Sequence, residues 1–283
     1  MQVANTIEEA RVLRRGYTRE SLGLVPTMGY LHEGHIALVR RAKTENDRVA
    51  VSIFVNPKQF GPTEDLGRYP RDLQRDLQLL EAAGVDFVFV PDGEVMYPGD
   101  FQTIVQVTEV TKQLEGARRP THFDGVTTVV AKLFNIIEPA RAYFGQKDAQ
   151  QVAVVRQMVR DLNFNLDIVV CPTVRETDGL AMSSRNKYLS TEQRAAATAL
   201  YGALRRAEAL WSAGERRGDA LRDAMESVLA AESLARIDYV SAADPETLRE
   251  VEHEVRPGQG VLLSMAVFFD KTRLIDNFLL IPE

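Results

Sequence analysis

Short apolar runs alternate with amphipathic stretches along the chain up to about residue 172. Five runs are continuously hydrophobic, as strands buried on both faces are: Leu22–Val25, Val49–Val55, Phe87–Val90, Ala142–Phe144 and Ile168–Cys171. Four stretches between them have helical periodicity: Ile36–Thr44, Arg71–Ala83, Val126–Ile137 and Asp148–Leu162. Because parallel strands need crossover helices that cover both faces of the sheet, this order predicts an α/β domain with a parallel sheet over residues 1–180.

The pattern changes after about residue 186. Ser190–Gln193 has the hydroxyl cap and acidic first turn of a helix start, and helical sequence follows to about Trp211 and again over Asp219–Glu232. Strand-like runs come last, at Ile237–Ser241, Val261–Phe269 and Leu274–Ile281. Helices followed by strands predict a smaller α+β domain over residues 181–283, which we expect to close over the site of the first domain.

Composition narrows the class of protein. The chain has 34 basic and 40 acidic residues, for a net charge of −6, which argues against a nucleic-acid partner bound through its phosphates. The single cysteine, Cys171, lies in an apolar run and is expected to be a buried, inert thiol. No stretch reaches the roughly 18 apolar residues of a membrane span, and the N-terminus lacks a signal-peptide pattern. We therefore expect a cytoplasmic protein without a membrane partner.

Polar segments follow three of the predicted strands. A loop with two glycines and the pair His32 and His35 follows the first strand and leads into a helix, whose N-terminal N–H groups suit a phosphate chain. The segment Asn56–Phe60 follows the second strand, and Gly145–Asp148 follows the fourth. Ligands of parallel sheets bind outside the carboxyl ends of the strands, so we expect these three segments to converge on one edge of the sheet.

A fourth segment, Met182–Asn186, adds two hydroxyls and the guanidinium of Arg185, which can bind phosphate oxygens. With Lys147, these groups predict an enzyme that cleaves ATP between its α- and β-phosphates. Plainer interpretations stay open, namely a helix cap for the histidines, a linker for the serines and a charge pair for Lys147 and Asp148. A zinc site is disfavoured because the histidine pair has no evident third nitrogen or sulfur ligand.

The segment Asn56–Phe60 offers mostly amides as its polar groups, which suits a small polyhydroxy acid whose carboxylate must still react. Of the adjacent Gln150 and Gln151, only one can face the site. Asp76 is a candidate ligand for a magnesium ion on the phosphates. The segment Gly61–Leu66 is a candidate lid.

The order and spacing of these motifs closely resemble those of the pantothenate synthetase family, from about residue 22 to residue 280. The family has a Rossmann-like fold in the nucleotidyltransferase-like superfamily, which shares its histidine and Ser-Arg signatures with class I aminoacyl-tRNA synthetases. The segments that carry the resemblance are Val25–Gly29, His32–His35, Ser52–Phe60, Arg68–Arg71, Arg119–Phe123, Gly145–Gln151, Asp178–Asn186 and Arg273–Asn277.

The resemblance implies condensation of pantoate with β-alanine, driven by cleavage of ATP to AMP and pyrophosphate through a pantoyl adenylate, with magnesium and a homodimer. We expect four residues to act in catalysis: His35, the proton donor of the family, His32, Lys147 and Arg185. Gln59 and Gln151 match the family's pantoate-binding positions, and we add Asn56 to the substrate-binding set. ATP is expected against Met28, Gly29, Tyr30, Leu31, His32, Glu33, Gly34, His35, Gly145, Gln146, Lys147, Asp148, Val174, Met182, Ser183, Ser184 and Arg185.

Three positions depart from the family pattern. Gln146 stands where the family usually has glutamate, Asp124 where it often has a basic residue, and Ala149 where it has an aromatic residue. Other function classes stay open: a nucleotidyltransferase with a phosphorylated acceptor, which would need a basic acceptor site, and a nucleotide sensor without turnover. An aminoacyl-tRNA synthetase fragment fits less well, because the chain lacks length for an anticodon-binding region and is acidic.

Overall fold

The computed structural model describes residues 1–62 and 64–282, which form two compact units. The first unit consists of Met1–Gly145 and Val154–Pro172, and the second of Gln146–Ala153 and Thr173–Glu283. The predicted domain boundary at residue 180 lies a few residues after this division. The segment Gln146–Ala153 belongs to the second unit although it directly follows a strand of the first.

The first unit contains a six-stranded sheet of parallel strands in the order β1-β4-β3-β2-β5-β6. Its strands are β1 Gln2–Ala4, β2 Leu22–Thr27, β3 Arg48–Ile53, β4 Phe87–Phe89, β5 Arg141–Gly145 and β6 Asp167–Cys171. The helices up to β6 are α1 Ile7–Arg15, α2 Glu33–Glu45, α3 Leu73–Ala82, α4 Gly93–Met96, α5 Leu114–Arg118, α6 His122–Ile137 and α7 Ala149–Asp161.

Both faces of this sheet are covered. Val49 and Val51 of β3 pack with Val39 of α2 on one face, while Ala50 between them points to the other face and is equally buried. The predicted parallel sheet is therefore confirmed, and each predicted strand is present within two residues of its expected limits. The strand β1 was not predicted, because three residues are too few to show a pattern.

Helices α2 and α6 begin about one turn earlier than predicted. Their first turns, Glu33–His35 and His122–Gly125, contain glycine and mostly polar residues, so the apolar periodicity starts after the helix does. The histidines of both segments lie at helix starts, His32 as the cap of α2 and His122 as the first residue of α6.

The second unit is an α+β fold, as predicted, with the antiparallel sheet order β7-β8-β9. Its elements are α8 Thr191–Ala196, α9 Ala199–Ser212, α10 Gly218–Ala230, β7 Ala235–Ala243, β8 Val261–Phe269 and β9 Thr272–Leu280. One long helix was expected from Ser190 to Trp211, but it is divided near Thr198. The Oγ1 of Thr198 donates to the carbonyl of Ala195 at 2.8 Å, a local bond that competes with helix continuation.

The core of the second unit lies between its helices and one face of its sheet. Leu204 and Met225, from α9 and α10, are fully buried with Leu263 and Met265 of β8. In the first unit Cys171 is buried, and burial raises the pKa of its thiol, which confirms the prediction of a buried cysteine. Within residues 1–62 and 64–282, no helix is both long and apolar enough to cross a bilayer.

Candidate active site

The strands β3, β2 and β5 are neighbours in the parallel sheet. Their carboxyl ends therefore lie at the same edge, where the chain continues into residues 28–35, residues 56–60 and the turn after Gly145. The expectation that three polar segments leave the sheet at one edge is confirmed. This is the edge where parallel sheets bind ligands.

The two histidines cap helix α2. The Nδ1 of His32 accepts the N–H of Gly34 at 3.1 Å, and the Nδ1 of His35 accepts the N–H of His32 at 3.2 Å. A ring nitrogen that accepts carries no proton, so both neutral imidazoles hold their proton on Nε2. The ring centroids are 4.1 Å apart. The cap interpretation is thus correct in geometry, and its effect is to give both histidines the same tautomer, with an Nε2–H donor.

Gly34 allows the ring of His32 to lie against the first turn of α2. A Cβ built on Gly34 would be 2.9 Å from both Nδ1 and Cε1 of that ring. Any other residue at this position would push the imidazole away from the backbone N–H that it accepts.

Asp76 of α3 anchors the loop between β2 and α2. Its carboxylate, 1% exposed, accepts the N–H groups of Tyr30 at 2.6 Å and Leu31 at 2.7 Å. Arg75 adds a bond to the carbonyl of Leu31 at 2.9 Å. These contacts hold Tyr30 at a φ of 50°, a left-handed conformation that is uncommon for a tyrosine. Burial raises the pKa of Asp76, so the backbone donors compensate a desolvated charge.

This role differs from the one expected for Asp76. Both of its oxygens already accept backbone donors, and it is almost completely buried. Across the described ranges 1–62 and 64–282, no group of three or more His, Cys, Asp or Glu side chains is arranged to hold a metal ion. Asp76 therefore fits a loop anchor better than a magnesium ligand.

Two predicted nucleotide contacts in the same loop are engaged elsewhere. The side chain of Leu31 is 1% exposed, and Asp76 and Arg75 occupy its backbone N–H and C=O. The side chain of Glu33 is exposed and forms an ion pair with Arg40. Direct contact of these two side chains with ATP is therefore not supported by the geometry, whereas Met28, His32 and His35 remain accessible candidates.

Asn56, expected to bind substrate, is buried and has all of its hydrogen-bonding capacity in use. Its Nδ2 donates to Oε1 of Gln59 and to the carbonyl of Gly125, both at 3.0 Å. Its Oδ1 accepts the hydroxyl of Tyr97 at 2.9 Å and the N–H of Lys58 at 3.3 Å. An amide with two donors and two acceptor lone pairs has nothing left for a ligand. Asn56 thus orients Gln59, and the predicted contact of Asn56 with substrate would require one of these four hydrogen bonds to break.

Gln59 links the predicted ATP and pantoate segments. Its Nε2 donates to the sulfur of Met28 at 3.2 Å. Its carbonyl accepts Nδ1 of His122 at 2.8 Å and Nη2 of Arg119 at 3.4 Å, while Arg119 forms a two-point ion pair with Glu64 at 2.7 Å. Glu64 belongs to the candidate lid at residues 61–66, of which residue 63 lies outside the described residues. The backbone of Gln59 is therefore fixed from two sides.

His122 is a neutral donor in this arrangement. Since a carbonyl can only accept, the proton of His122 lies on Nδ1. Burial, with the nearby positive charge of Arg119, lowers the pKa of His122 to about 4. The imidazole therefore stays uncharged through the physiological range.

This shift predicts a loss of stability on acidification. The unfolded chain takes up a proton on His122 below its ordinary pKa of 6.5, whereas the folded chain does so only near a pKa of about 4. Stability is therefore lost as the pH falls through this window, by about 3 kcal/mol at most. Urea unfolding of the wild type and of His122→Asn between about pH 7 and about pH 4.5 measures it. The difference in free energy of unfolding between the wild type and the variant should shrink as the pH falls. A difference that stays constant would exclude His122 as the cause of the acid sensitivity.

In the second unit, residues Gln146–Asp148 form a single turn before α7. The ammonium of Lys147 lies 3.9 Å from a carboxylate oxygen of Asp148. Asn277 of β9 donates to the carbonyls of Gln146 at 2.9 Å and Lys147 at 2.8 Å, and Nε2 of Gln146 donates to Oδ1 of Asn277 at 3.0 Å. The Gln146 side chain, which departs from the family pattern, therefore bonds to protein and not outward.

The serine–arginine segment, Met182–Asn186, also forms a turn that is held by hydrogen bonds. Ser183 accepts the N–H of Arg185 at 3.3 Å and begins the turn Ser184–Tyr188. The N–H of Met182 donates to the carbonyl of Val174 at 3.0 Å, so two predicted nucleotide contacts are adjacent. Of the two glutamines that begin α7, Gln150 is 5% exposed and Gln151 is only half-buried, which leaves Gln151 more accessible.

Sequence reasoning missed the residues that support the site. Asn277 lies in a segment that carries the family resemblance, Arg273–Asn277, but the sequence indicates no role for it, and Gly125 lies in a helix start that the apolar pattern does not show. Tyr97 has no sequence signal, because its contact with Asn56 joins positions 41 residues apart.

Comparison with known proteins gives a consistent result. A model of the pantoate–β-alanine ligase family matches residues 2–279. A pantothenate synthetase from Chloroflexus aggregans is 62% identical over 281 residues, which are 99% of this chain and 100% of that protein. One from Roseiflexus sp. is 59% identical, over 99% of both chains.

Solved structures agree with the sequence comparison. A crystal structure of pantothenate synthetase from Thermus thermophilus has a TM-score of 0.94 at 50% identity, over 100% of both chains. A pantoate–β-alanine ligase from Francisella tularensis, solved in complex with β,γ-ATP and β-alanine, has a TM-score of 0.80 at 36% identity, over 99% of this chain and 97% of that one.

Proposed function

Since this chain belongs to the pantoate–β-alanine ligase family, we propose that it condenses pantoate with β-alanine to pantothenate at the expense of ATP, which leaves as AMP and pyrophosphate. The relative from Francisella tularensis, solved with an ATP compound and β-alanine, supports two of the three substrates. The observation in this chain that carries the proposal is the histidine pair at the carboxyl edge of the sheet, with two Nε2–H donors.

The first step forms pantoyl adenylate. A carboxylate oxygen of pantoate forms a bond to the α-phosphorus of ATP, the bond to the bridging oxygen of the β-phosphate breaks, and pyrophosphate leaves. Negative charge grows on the phosphate oxygens, and the Nε2–H groups of His32 and His35 stabilise it without reorganisation, because their caps fix the rings in advance. Lys147 and Arg185 are proposed to neutralise the departing pyrophosphate.

The second step forms the amide. The neutral amine of β-alanine attacks the carbonyl carbon of the adenylate, AMP leaves with the former carboxylate oxygen, and the amine loses a proton. This step needs mainly placement of the two reactants. Gln59, oriented by Asn56 and fixed by His122, supplies an uncharged amide for the pantoate, and we propose Gln151 as a second one.

Three further properties complete the proposal. Magnesium is proposed to enter on the phosphates of ATP, as the family resemblance implies. A homodimer is proposed from the family resemblance, and sedimentation would measure the mass directly. A cytoplasmic location fits a biosynthetic enzyme that consumes ATP.

The test is product formation from ATP and Mg²⁺ with pantoate and β-alanine, and with each organic substrate omitted in turn. The proposal expects continuous AMP and pantothenate formation only when both are present. Nucleotide binding without pyrophosphate release in any mixture would favour a sensor. Transfer of AMP to a phosphorylated acceptor would favour a different nucleotidyltransferase.

A further inference from the structure

Asn277 of β9 is 4% exposed, and its side-chain amide joins three groups of one short turn. Its Nδ2 donates hydrogen bonds to the carbonyls of Gln146 and Lys147, and its Oδ1 accepts a hydrogen bond from Nε2 of Gln146. All three bonds measure 2.8–3.0 Å. Asn277 thus binds the backbone carbonyls on both sides of the Lys147 Cα. Its contacts are specific to this turn and do more than fill space in the core.

The strand that carries Asn277 is itself held firmly at this point. The preceding residue, Asp276, is fully buried, and its carboxylate accepts hydrogen bonds from both terminal nitrogens of Arg175, at 2.6 and 2.9 Å. Asp276 also accepts the backbone N–H of Asn277 at 2.8 Å. Since successive side chains of a strand point to opposite faces, the ion pair fixes β9 from one face while Asn277 acts on the other.

The turn Gln146–Asp148 connects β5 directly to α7. It is three residues long, and within the described residues the ammonium of Lys147 has one charged neighbour, Asp148, at 3.9 Å. The position of that ammonium therefore follows from the position of the Lys147 backbone, which Asn277 holds through two carbonyls. Loss of the Asn277 amide would leave both carbonyls without this donor and let the turn move.

We propose that Asn277 is a positioning residue that sets Lys147 for the phosphates of ATP, and that Gln146 completes the contact. The proposal rests on the proposed function, in which Lys147 binds the nucleotide. It also gives a physical meaning to Gln146, because its amide donates to Oδ1 of Asn277, which a carboxylate at this position could not do.

The test is a double-mutant cycle on Asn277→Ala and Lys147→Ala, read on both the Kd for ATP and kcat/KM for ATP. If Asn277 acts through Lys147, Asn277→Ala weakens each by about tenfold, and the double variant is no worse than Lys147→Ala alone. The KM for β-alanine should change little. Independent, multiplicative losses in the double variant would overturn the proposal.

The matched control is Ser264→Ala. Ser264 pairs with Asn277 across the sheet, is buried, and its hydroxyl has no hydrogen-bond partner among the residues described. Removal of the Ser264 hydroxyl should leave the Kd for ATP unchanged. If Ser264→Ala weakened ATP binding as much as Asn277→Ala does, the effect of Asn277→Ala would be only structural. If Asn277→Ala does not fold, Asn277→Asp keeps the volume and removes the donors. The Kd cycle needs no pantoate, so failure of the wild type to form pantothenate would reject the function without deciding this point.

Discussion

We expect His35→Ala to lower adenylate formation at least a hundredfold while the fold survives. The variant removes an Nε2–H donor whose tautomer is fixed by the N–H of His32, and loss of one such preorganised donor costs on the order of 10²–10³ in rate. The fold should survive because the His35 side chain is only half-buried and water can reach the freed N–H. Pantoate-dependent release of pyrophosphate in a single turnover measures the effect, and thermal unfolding checks the fold.

Two further substitutions separate the two functions of the His35 ring, the Nδ1 acceptor that caps the helix and the Nε2–H donor. His35→Asn keeps an acceptor close to the position of Nδ1 but lacks the donor, so it should be as slow as His35→Ala. His35→Gln can bring an N–H close to the position of Nε2 and should recover part of the rate. Near-normal turnover of His35→Ala would remove His35 from the chemistry.

Gly125→Ala should damage the pantoate site, although alanine is the better helix former. A Cβ on Gly125 would lie 2.4 Å from the carbonyl carbon and oxygen of Lys58 and 2.5 Å from the nitrogen of Gln59. All three are backbone atoms, so α6 or the turn that carries Gln59 must move. Overpacking of this kind costs about 1–3 kcal/mol of stability. We also expect the KM for pantoate to rise at least about tenfold, because a displacement of about 1 Å can cost on the order of a hundredfold.

The control for this prediction is Gly202→Ala in α9. The nearest atom to a Cβ there is Cγ1 of Val228, at 3.7 Å, an ordinary contact. Helix propensity alone then favours alanine by up to about 1 kcal/mol, so the two substitutions should have opposite signs. Equal stabilisation by both, with an unchanged KM for pantoate, would contradict the close packing of Gly125 on the Gln59 turn.

The parallel sheet and the edge that bears the site could be predicted from local patterns. Continuous apolar runs such as Val49–Val55 identify strands buried on two faces, and the position of His32 and His35 after a strand identifies the edge. Helix starts were less accessible, because the first turn of α6, at His122, is polar. The split at Thr198 coincides with local turn bonds, including one from its hydroxyl, which no periodicity shows.

The support of the site could not be predicted in the same way. Asp76 binds N–H groups 46 and 45 positions earlier in the chain, and Asn277 binds carbonyls 131 and 130 positions earlier. Such bonds depend on where the folded backbone places an unpaired group, and one sequence does not record that. For the same reason the sequence does not show that the Asn56 amide makes four hydrogen bonds within the protein.

The central claim, ligation through pantoyl adenylate, is tested most directly by the fate of a carboxylate oxygen. Pantoate labelled with ¹⁸O in its carboxylate is incubated with ATP, Mg²⁺, β-alanine and the enzyme, and the products are analysed by mass spectrometry. Attack on the α-phosphorus predicts one labelled oxygen in AMP and none in pyrophosphate. Label in inorganic phosphate, with ADP as the nucleotide product, would mean attack at the γ-phosphate and would contradict the account.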